Sequence, residues 1–193
     1  MDRRHLLLTA LAALATPAQA APRRYGIGPG GAEITYTFTL DGAASKGTVP
    51  ISQANLSIDP KNLAASRADV TADVRRARTG FVFATEALKS PSVLNAKRFP
   101  ESRFVSTRVI LGPGGRISDG AALEGNLTMR GVTRPIRLKA GIFRPKGTAA
   151  DDLSRLTVTL EGTLKRSSFG ITGYPKLVAD QVNLSIQADI MAI

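Results

Sequence analysis

Few residues of this chain could take part in catalysis or bind a metal ion. The 193 residues include no cysteine and a single histidine, His5, close to the N-terminus. Cysteine nucleophiles, Ser-His-Asp triads and the usual His/Cys zinc sites all need one of these two residue types. We therefore predict that the protein has no metal site and no cofactor.

The other groups that could transfer protons do not form pairs. General acid–base catalysis needs titratable side chains that reach the same reacting group, and no two carboxylates have a spacing that suggests this. Ser167 and Ser168 beside Lys165 come nearest to a nucleophile with its base, but a turn explains them better. We predict that the protein is not an enzyme. The scattered carboxylates are Glu33, Asp41, Asp59, Glu86, Glu124, Glu161 and Asp180.

The N-terminus predicts export. A basic start at Arg3-Arg4 is followed by an apolar run at residues 6–15 and by the small-residue cleavage site Ala-Gln-Ala at 18–20, the three parts of a secretory signal peptide. We expect residues 1–20 to be removed and residues 21–193 to form one domain in the periplasm. The paired arginines also leave twin-arginine export open as the route.

The formal net charge of +11 allows several partners. Nucleic-acid binding would need a basic cluster interleaved with aromatic residues, and the charges are instead scattered, so we predict no nucleic-acid partner. A basic surface could contact an anionic membrane peripherally. It could also be a solvated surface that keeps the protein soluble.

Hydrophobic residues alternate with polar ones along most of the chain, which is the period of half-buried β-strands. Ile34, Tyr36, Phe38 and Leu40 share one face of the first strand, and the Pro/Gly tract at 26–31 leads into it. Eight such segments are present. They begin near residues 34, 49, 68, 104, 123, 136, 156 and 182.

About eight antiparallel strands with short turns are most simply closed as an all-β, up-and-down barrel, because a barrel leaves no unpaired edge. A β-sandwich is the alternative, and an outer-membrane barrel is disfavoured by the scarcity of aromatic residues. Residues 80–95 break the alternation and predict a short helical segment, and the irregular stretch at 80–100 could act as a lid. The lid candidates are Phe81, Phe83, Leu88, Val93 and Leu94.

Five segments of the sequence resemble the YceI-like family of exported lipid- and polyisoprenoid-binding barrels. The first is the hairpin Gly-Asn-Leu-Thr-x-x-Gly-Val-Thr-x-Pro at 125–135. The others are Ala-Leu-Lys-Ser-Pro at 87–91, Phe-Pro-x-x-x-Phe-x-Ser-Thr at 99–107, Lys-Arg-Ser-Ser-Phe-Gly-Ile at 165–171 and Asn-Leu-Ser-Ile-Asp at 55–59. Each segment is short, but all lie in the family's order.

The resemblance implies a lipocalin-like barrel that carries or sequesters a long apolar lipid, of polyisoprenoid or quinone type, in its lumen. The alternative function is a non-enzymatic envelope accessory protein that contacts a membrane surface or partner proteins through its basic surface. Whether the protein forms a homodimer stays open. The residues expected to line the lumen are Phe38, Phe104, Leu127, Ile136, Leu138, Phe169 and Ile171, each of which could instead serve only as core.

Overall fold

The residues that the structure describes fold into a closed antiparallel β-barrel with one short α-helix. The structure, a computed structural model, describes residues 22–193 except 116, 118 and 119, so the predicted signal peptide lies outside the described residues. The strands are β1 (Arg23–Leu40), β2 (Ala43–Ile58), β3 (Arg67–Asp73), β4 (Arg78–Thr79), β5 (Glu101–Ile110), β6 (Ala121–Met129), β7 (Val132–Phe143), β8 (Arg155–Lys165) and β9 (Val178–Ala192), and the helix is α1 (Val82–Lys89).

Eight of these strands form the barrel wall, as the alternation predicts. The sheet runs in the order β1-β9-β8-β7-β6-β5-β3-β2, and β2 pairs again with β1 to close it. Every pairing is antiparallel. The two-residue strand β4 pairs only with the start of β2, outside the main circuit. Closure leaves the eight wall strands without a free outer edge.

The apolar residues of neighbouring strands lie on the same side of the barrel wall. Across β1 and β9, Ile34 pairs with Ile186 and Tyr36 pairs with Leu184. Because side chains directly opposite each other lie on the same face of a sheet, the apolar halves of both strands point into the barrel together. The polar halves face solvent.

Two-residue turns set the register of two hairpins. Arg130 and Gly131 have φ values of 52° and 76°, and the strands beside them pair at Met129 and Val132. Two consecutive positive φ values define a type I′ turn, whose twist matches that of the strands. Asp41 and Gly42 form the corresponding turn between β1 and β2, with φ values of 49° and 77°.

The Pro/Gly tract at 26–31 belongs to β1 instead of leading into it, so that expectation was wrong. The pairing of β1 with β9 shifts register between Ile27 and Ala32, which marks a bulge. A Cβ at Gly28 would lie 3.0 Å from the carbonyl oxygen of Asp189. Glycine therefore lets the bulged strand stay close to β9, where a larger residue would be crowded.

One end of the barrel is closed by a hydrophobic cluster. Tyr25, Ile58, Leu156 and Ile190 are all buried there and pack together, and the hydroxyl of Tyr25 donates to the carbonyl of Leu153 at 2.8 Å. This cluster is the floor of the barrel. No helix in the described part of the chain is long and apolar enough to span a membrane.

Candidate functional site

The barrel encloses an apolar cavity with two parts. The upper chamber, at the end of the barrel away from the floor, has a volume of about 420 Å³, within the range of small-molecule sites. Its wall is largely aliphatic and aromatic. Representative residues of that wall are Phe38, Leu40, Val49, Met129, Leu164 and Val182.

The lower chamber lies between the upper chamber and the floor. It has a volume of about 190 Å³ and is lined mainly by Leu, Ile, Val and Ala side chains from all eight wall strands. An apolar cavity of about 150 Å³ stays dry and accepts a benzene-sized molecule, so this chamber can hold several carbons of a ligand. The two chambers meet at a waist, whose residues line both of them: Ile34, Ala72, Ser102, Leu127 and Leu184.

A cover of two chain segments lies across the top of the upper chamber. The first segment is residues 80–100 and contains α1, whose Ala84, Ala87 and Leu88 face the cavity. The second segment is the loop 166–177 between β8 and β9. The N–H of Gly173 donates to the carbonyl of Ser92 at 2.9 Å and joins the two segments.

An arginine in the β6–β7 turn also bridges the two segments of the cover. The guanidinium of Arg130 donates to the carbonyl of Pro91 at 2.7 Å and to that of Gly170. The hairpin turn thus holds both halves of the cover against the barrel.

Arg166 holds the second segment of the cover in shape. It is buried, and its guanidinium donates to four backbone carbonyls, those of Ala179 (3.2 Å), Ile171 (3.4 Å), Gly173 (2.6 Å) and Val178 (3.0 Å). The planar fork of arginine suits several acceptors at fixed angles. Although Arg166 lies beside the upper chamber, it donates to carbonyls of the loop and of the start of β9.

The upper chamber opens to solvent between the two segments of the cover. Among the described residues that line it, only Phe83, Tyr174 and Leu177 are exposed. Phe83 lies at the N-terminal end of α1, and the other two lie in the second segment. We call this gap the opening.

The polar groups beside the cavity are few and mostly engaged. The hydroxyl of Tyr36 donates to the carbonyl of Arg78 at 2.9 Å, and burial raises the pKa of this tyrosine far above its usual range. The residues described as lining the two chambers include no carboxylate, and within the described ranges no three His, Cys, Asp or Glu residues group as metal ligands. The cavity is therefore suited to hold a hydrocarbon, with little polar recognition along its length.

The residues predicted to line the lumen lie in both chambers, with one exception. Phe38 and Ile171 line the upper chamber, Leu127 lies at the waist, and the lower chamber is lined by Phe104, Ile136 and Leu138. Phe169 lines neither chamber. It is buried in the 3-10 turn Arg166–Phe169, where the chain leaves the strand and the alternation no longer decides which way a side chain points.

The predicted lid residues separate in a similar way. Phe83, Leu88, Val93 and Leu94 belong to the first segment of the cover and line the upper chamber. Phe81 does not line it, because it precedes α1 and points to solvent with 64% of its surface exposed.

Several residues that shape the site were not predicted from the sequence. In the sequence, Tyr36 is only one of the apolar residues of an alternating strand. No sequence pattern distinguishes Ala72, at the waist, from other small residues. Arg166 and the second segment of the cover were also missed. The turn-forming residues Gly170 and Gly173 were the available signal that residues 166–177 leave the barrel wall.

The comparisons with known proteins agree with this architecture. The model of the YceI-like domain family matches residues 25–190. Protein YceI of Salmonella newport is 27% identical over 192 residues, which cover 98% of this chain and 97% of that protein.

Solved structures share the fold at low sequence identity. BcnA of Burkholderia cenocepacia superposes with a TM-score of 0.70 at 19% identity, covering 82% of this chain and 95% of that chain. A polyisoprenoid-binding domain from Saccharophagus degradans, described as implicated in plant cell wall breakdown, gives a TM-score of 0.63 at 10% identity, covering 89% and 99%. The family model spans nearly the whole described chain, and the chain belongs to the YceI-like domain family.

Proposed function

We propose that this protein binds a long apolar lipid, of polyisoprenoid or quinone type, inside the barrel and carries or sequesters it. The observation that supports this most directly is the two-part apolar cavity, open at one end and closed by the floor at the other. Such a shape suits a flexible chain that enters through the opening and extends towards the floor. The polyisoprenoid-binding neighbour with the same fold adds support.

The expected affinity comes from removing hydrocarbon from water. Burying one CH₂ group contributes about 0.8 kcal/mol, so the five carbons of an isoprene unit contribute roughly 4 kcal/mol before the cost of ordering the chain is subtracted. A ligand several units long would therefore bind tightly without any strong polar contact, which fits the scarcity of free polar groups in the cavity.

Binding, not catalysis, is the activity that this site supports. The polar side chains nearest the cavity, Tyr36 and Arg166, are engaged with backbone carbonyls. No carboxylate stands among the residues described as lining either chamber. We further propose that residues 1–20 direct export and that the mature protein acts in the periplasm.

The test is to identify what the protein carries. The full chain is expressed in a bacterial host, purified from the periplasmic fraction without detergent and extracted with organic solvent for mass spectrometry. An unrelated exported protein from the same host serves as the background control. We expect an enriched hydrophobic molecule with a prenyl tail. Protein that yields only background lipids when purified gently would contradict the proposal.

A further inference from the structure

We propose that the covered end of the barrel docks on the surface of a lipid bilayer that contains anionic lipids, with the opening facing the membrane. This goes beyond the ligand-binding role proposed above and does not depend on which lipid fills the cavity. Two independent features of the covered end support it, one apolar and one electrostatic.

The apolar feature is a run of three exposed hydrophobic residues at the N-terminal end of α1. Phe81, Val82 and Phe83 are exposed over 64%, 78% and 91% of their surface. Single exposed hydrophobic residues are common on soluble proteins, whereas contiguous patches mark interaction sites. The residues that the structure describes leave most of the surface of these three side chains uncovered.

This patch is continuous with the opening. Phe83 lines the upper chamber, as do Tyr174 and Leu177 of the second segment of the cover, which are also exposed. The two groups are held beside adjacent strands: β4, just before Phe81, pairs with β2, and the N–H of Asp41 at the end of β1 donates to the carbonyl of Leu177 at 2.7 Å. A surface that covers the patch would therefore also cover the opening.

The electrostatic feature is a strong difference in charge between the two ends of the barrel. The connections at the covered end contain nine basic residues and two acidic ones, whereas the described residues of the connections at the floor end contain three of each. At the covered end the acidic residues are Asp41 and Glu86, and the basic residues are Arg75, Arg76, Arg78, Lys89, Lys97, Arg98, Arg130, Arg166 and Lys176. At the floor end the acidic residues are Asp59, Asp151 and Asp152, and the basic residues are Lys61, Arg144 and Lys146.

The four residues of each strand that adjoin these connections do not remove this difference. At the covered end they add four basic residues and three acidic ones, and at the floor end they add five basic and three acidic. The acidic strand residues at the covered end are Asp73, Glu101 and Asp180, and the basic ones are Lys46, Arg103, Arg134 and Lys165. The covered end therefore presents exposed hydrophobic side chains surrounded by positive charge.

That combination favours a lipid surface over the other possible occupants. Interfacial binding depends on apolar side chains that enter the headgroup region and on cations that attract anionic lipids. A second copy of the chain would place the same positive surface against itself, which like-charge repulsion disfavours. Docking with the opening towards the bilayer would also let an apolar ligand pass between membrane and barrel without crossing water.

The first test replaces two of the three residues of the apolar patch and leaves the lining of the cavity unchanged. The double variant Phe81→Ser, Val82→Ser changes two residues that do not line the chamber, and Phe143→Ser removes an exposed aromatic near the floor end as the matched control. Sedimentation with vesicles of equal parts phosphatidylcholine and phosphatidylglycerol measures partitioning. We expect the double variant to partition about tenfold more weakly and the control to match the unaltered protein.

The second test changes charge at one end or the other by the same amount. We expect Arg76→Gln with Lys176→Gln to weaken partitioning roughly thirtyfold, since each cation near an anionic surface contributes about a fivefold change. Arg144→Gln with Lys146→Gln has the same net charge and should change it less than about twofold. The unaltered protein should bind much more weakly to vesicles of phosphatidylcholine alone, and it should also bind more weakly to the mixed vesicles at high salt.

The results that would overturn docking are distinct from those that would overturn ligand binding. Equal losses for the two charge pairs would show nonspecific attraction, and salt-independent or absent partitioning would contradict the proposal. If light scattering shows a dimer that the Phe81→Ser, Val82→Ser variant abolishes, the patch is a protein interface instead. Ligand binding is tested separately, by mass spectrometry of the lipid that each variant carries, so none of these outcomes decides it.

Discussion

A leucine placed at the waist should shorten the ligand that the barrel can hold. Ala72 is buried and lines both chambers, so the larger side chain of an Ala72→Leu variant would extend into the connection between them. The opening and the rest of the upper chamber would be unchanged. A ligand with a short tail should still bind, whereas a long tail could no longer reach the lower chamber.

The size of the effect follows from the volume that becomes inaccessible. At about 24 cal/mol per Å³ of cavity, filling the 190 Å³ of the lower chamber stabilises the complex by about 4–5 kcal/mol. Partial filling and the ordering of the tail remove roughly half of this gain. The variant should therefore bind a long tail about 30- to 100-fold more weakly.

Competition against a fluorescent lipid, with geraniol as the short probe and geranylgeraniol as the long one, measures this difference. Ala84→Leu is the matched control, because Ala84 lines only the upper chamber and its enlargement should weaken both probes alike. Thermal unfolding checks that Ala72→Leu stays folded, since overpacking costs about 1–3 kcal/mol. A chain-length series identical to that of the unaltered protein would refute the reasoning that the tail passes the waist.

Three further predictions concern what holds the barrel and its cover together. Replacing Arg166 by Met should lower the free energy of unfolding in urea by about 3 kcal/mol or more, because four carbonyls lose a charged donor, and lysine should restore only part of it; an unchanged midpoint would contradict the clamp. Gly47→Ala should lower the free energy of unfolding by about 1–3 kcal/mol, because a Cβ there would overlap the ring of Tyr36 and the carbonyl of Arg78. Gly80→Ala is the control: a Cβ at Gly80 has open space around it, and the free energy of unfolding should stay within about 0.5 kcal/mol of that of the unaltered protein. Hydrogen bonds from Arg103 hold the pKa of Asp69 below its ordinary 3.8. The ionised carboxylate therefore stabilises the fold above pH 3.8, and this stabilisation is lost as the pH falls through and below that value. Asp69→Asn should flatten the acid side of the stability–pH curve by less than about 1 kcal/mol, and an unaltered slope would contradict this expectation.

The barrel wall could be predicted from the sequence because its signal is local. Each strand repeats apolar and polar residues with period two, and residues such as Asp41-Gly42 and Arg130-Gly131 adopt the two positive φ values of a tight hairpin turn. Once the strands and turns are known, closure follows from the need to bury one face. The exception was the glycine-rich tract at 26–31, where a bulge hides a strand behind turn-like composition.

The cavity and its cover were less predictable because they depend on contacts between distant residues. Alternation shows which side chains face inward but not whether they meet across the barrel, so the sequence cannot give the volume of the chambers. The second segment of the cover is held by Arg166 and Arg130, which bond to backbone carbonyls that have no sequence pattern. Phe169 was misplaced for a related reason, since it lies in a 3-10 turn.

The central claim is that an extended apolar tail occupies both chambers of the barrel, and the position of that tail can be measured directly. Crystals of the protein loaded with a long-chain alcohol that carries bromine at its tail end would locate the bromine by anomalous scattering. The account predicts a single strong peak in the lower chamber, in contact with Leu138 and Phe104, which line it. A peak confined to the outer surface, such as the groove beside Phe143 and Leu153, with both chambers free of the alcohol, would contradict it.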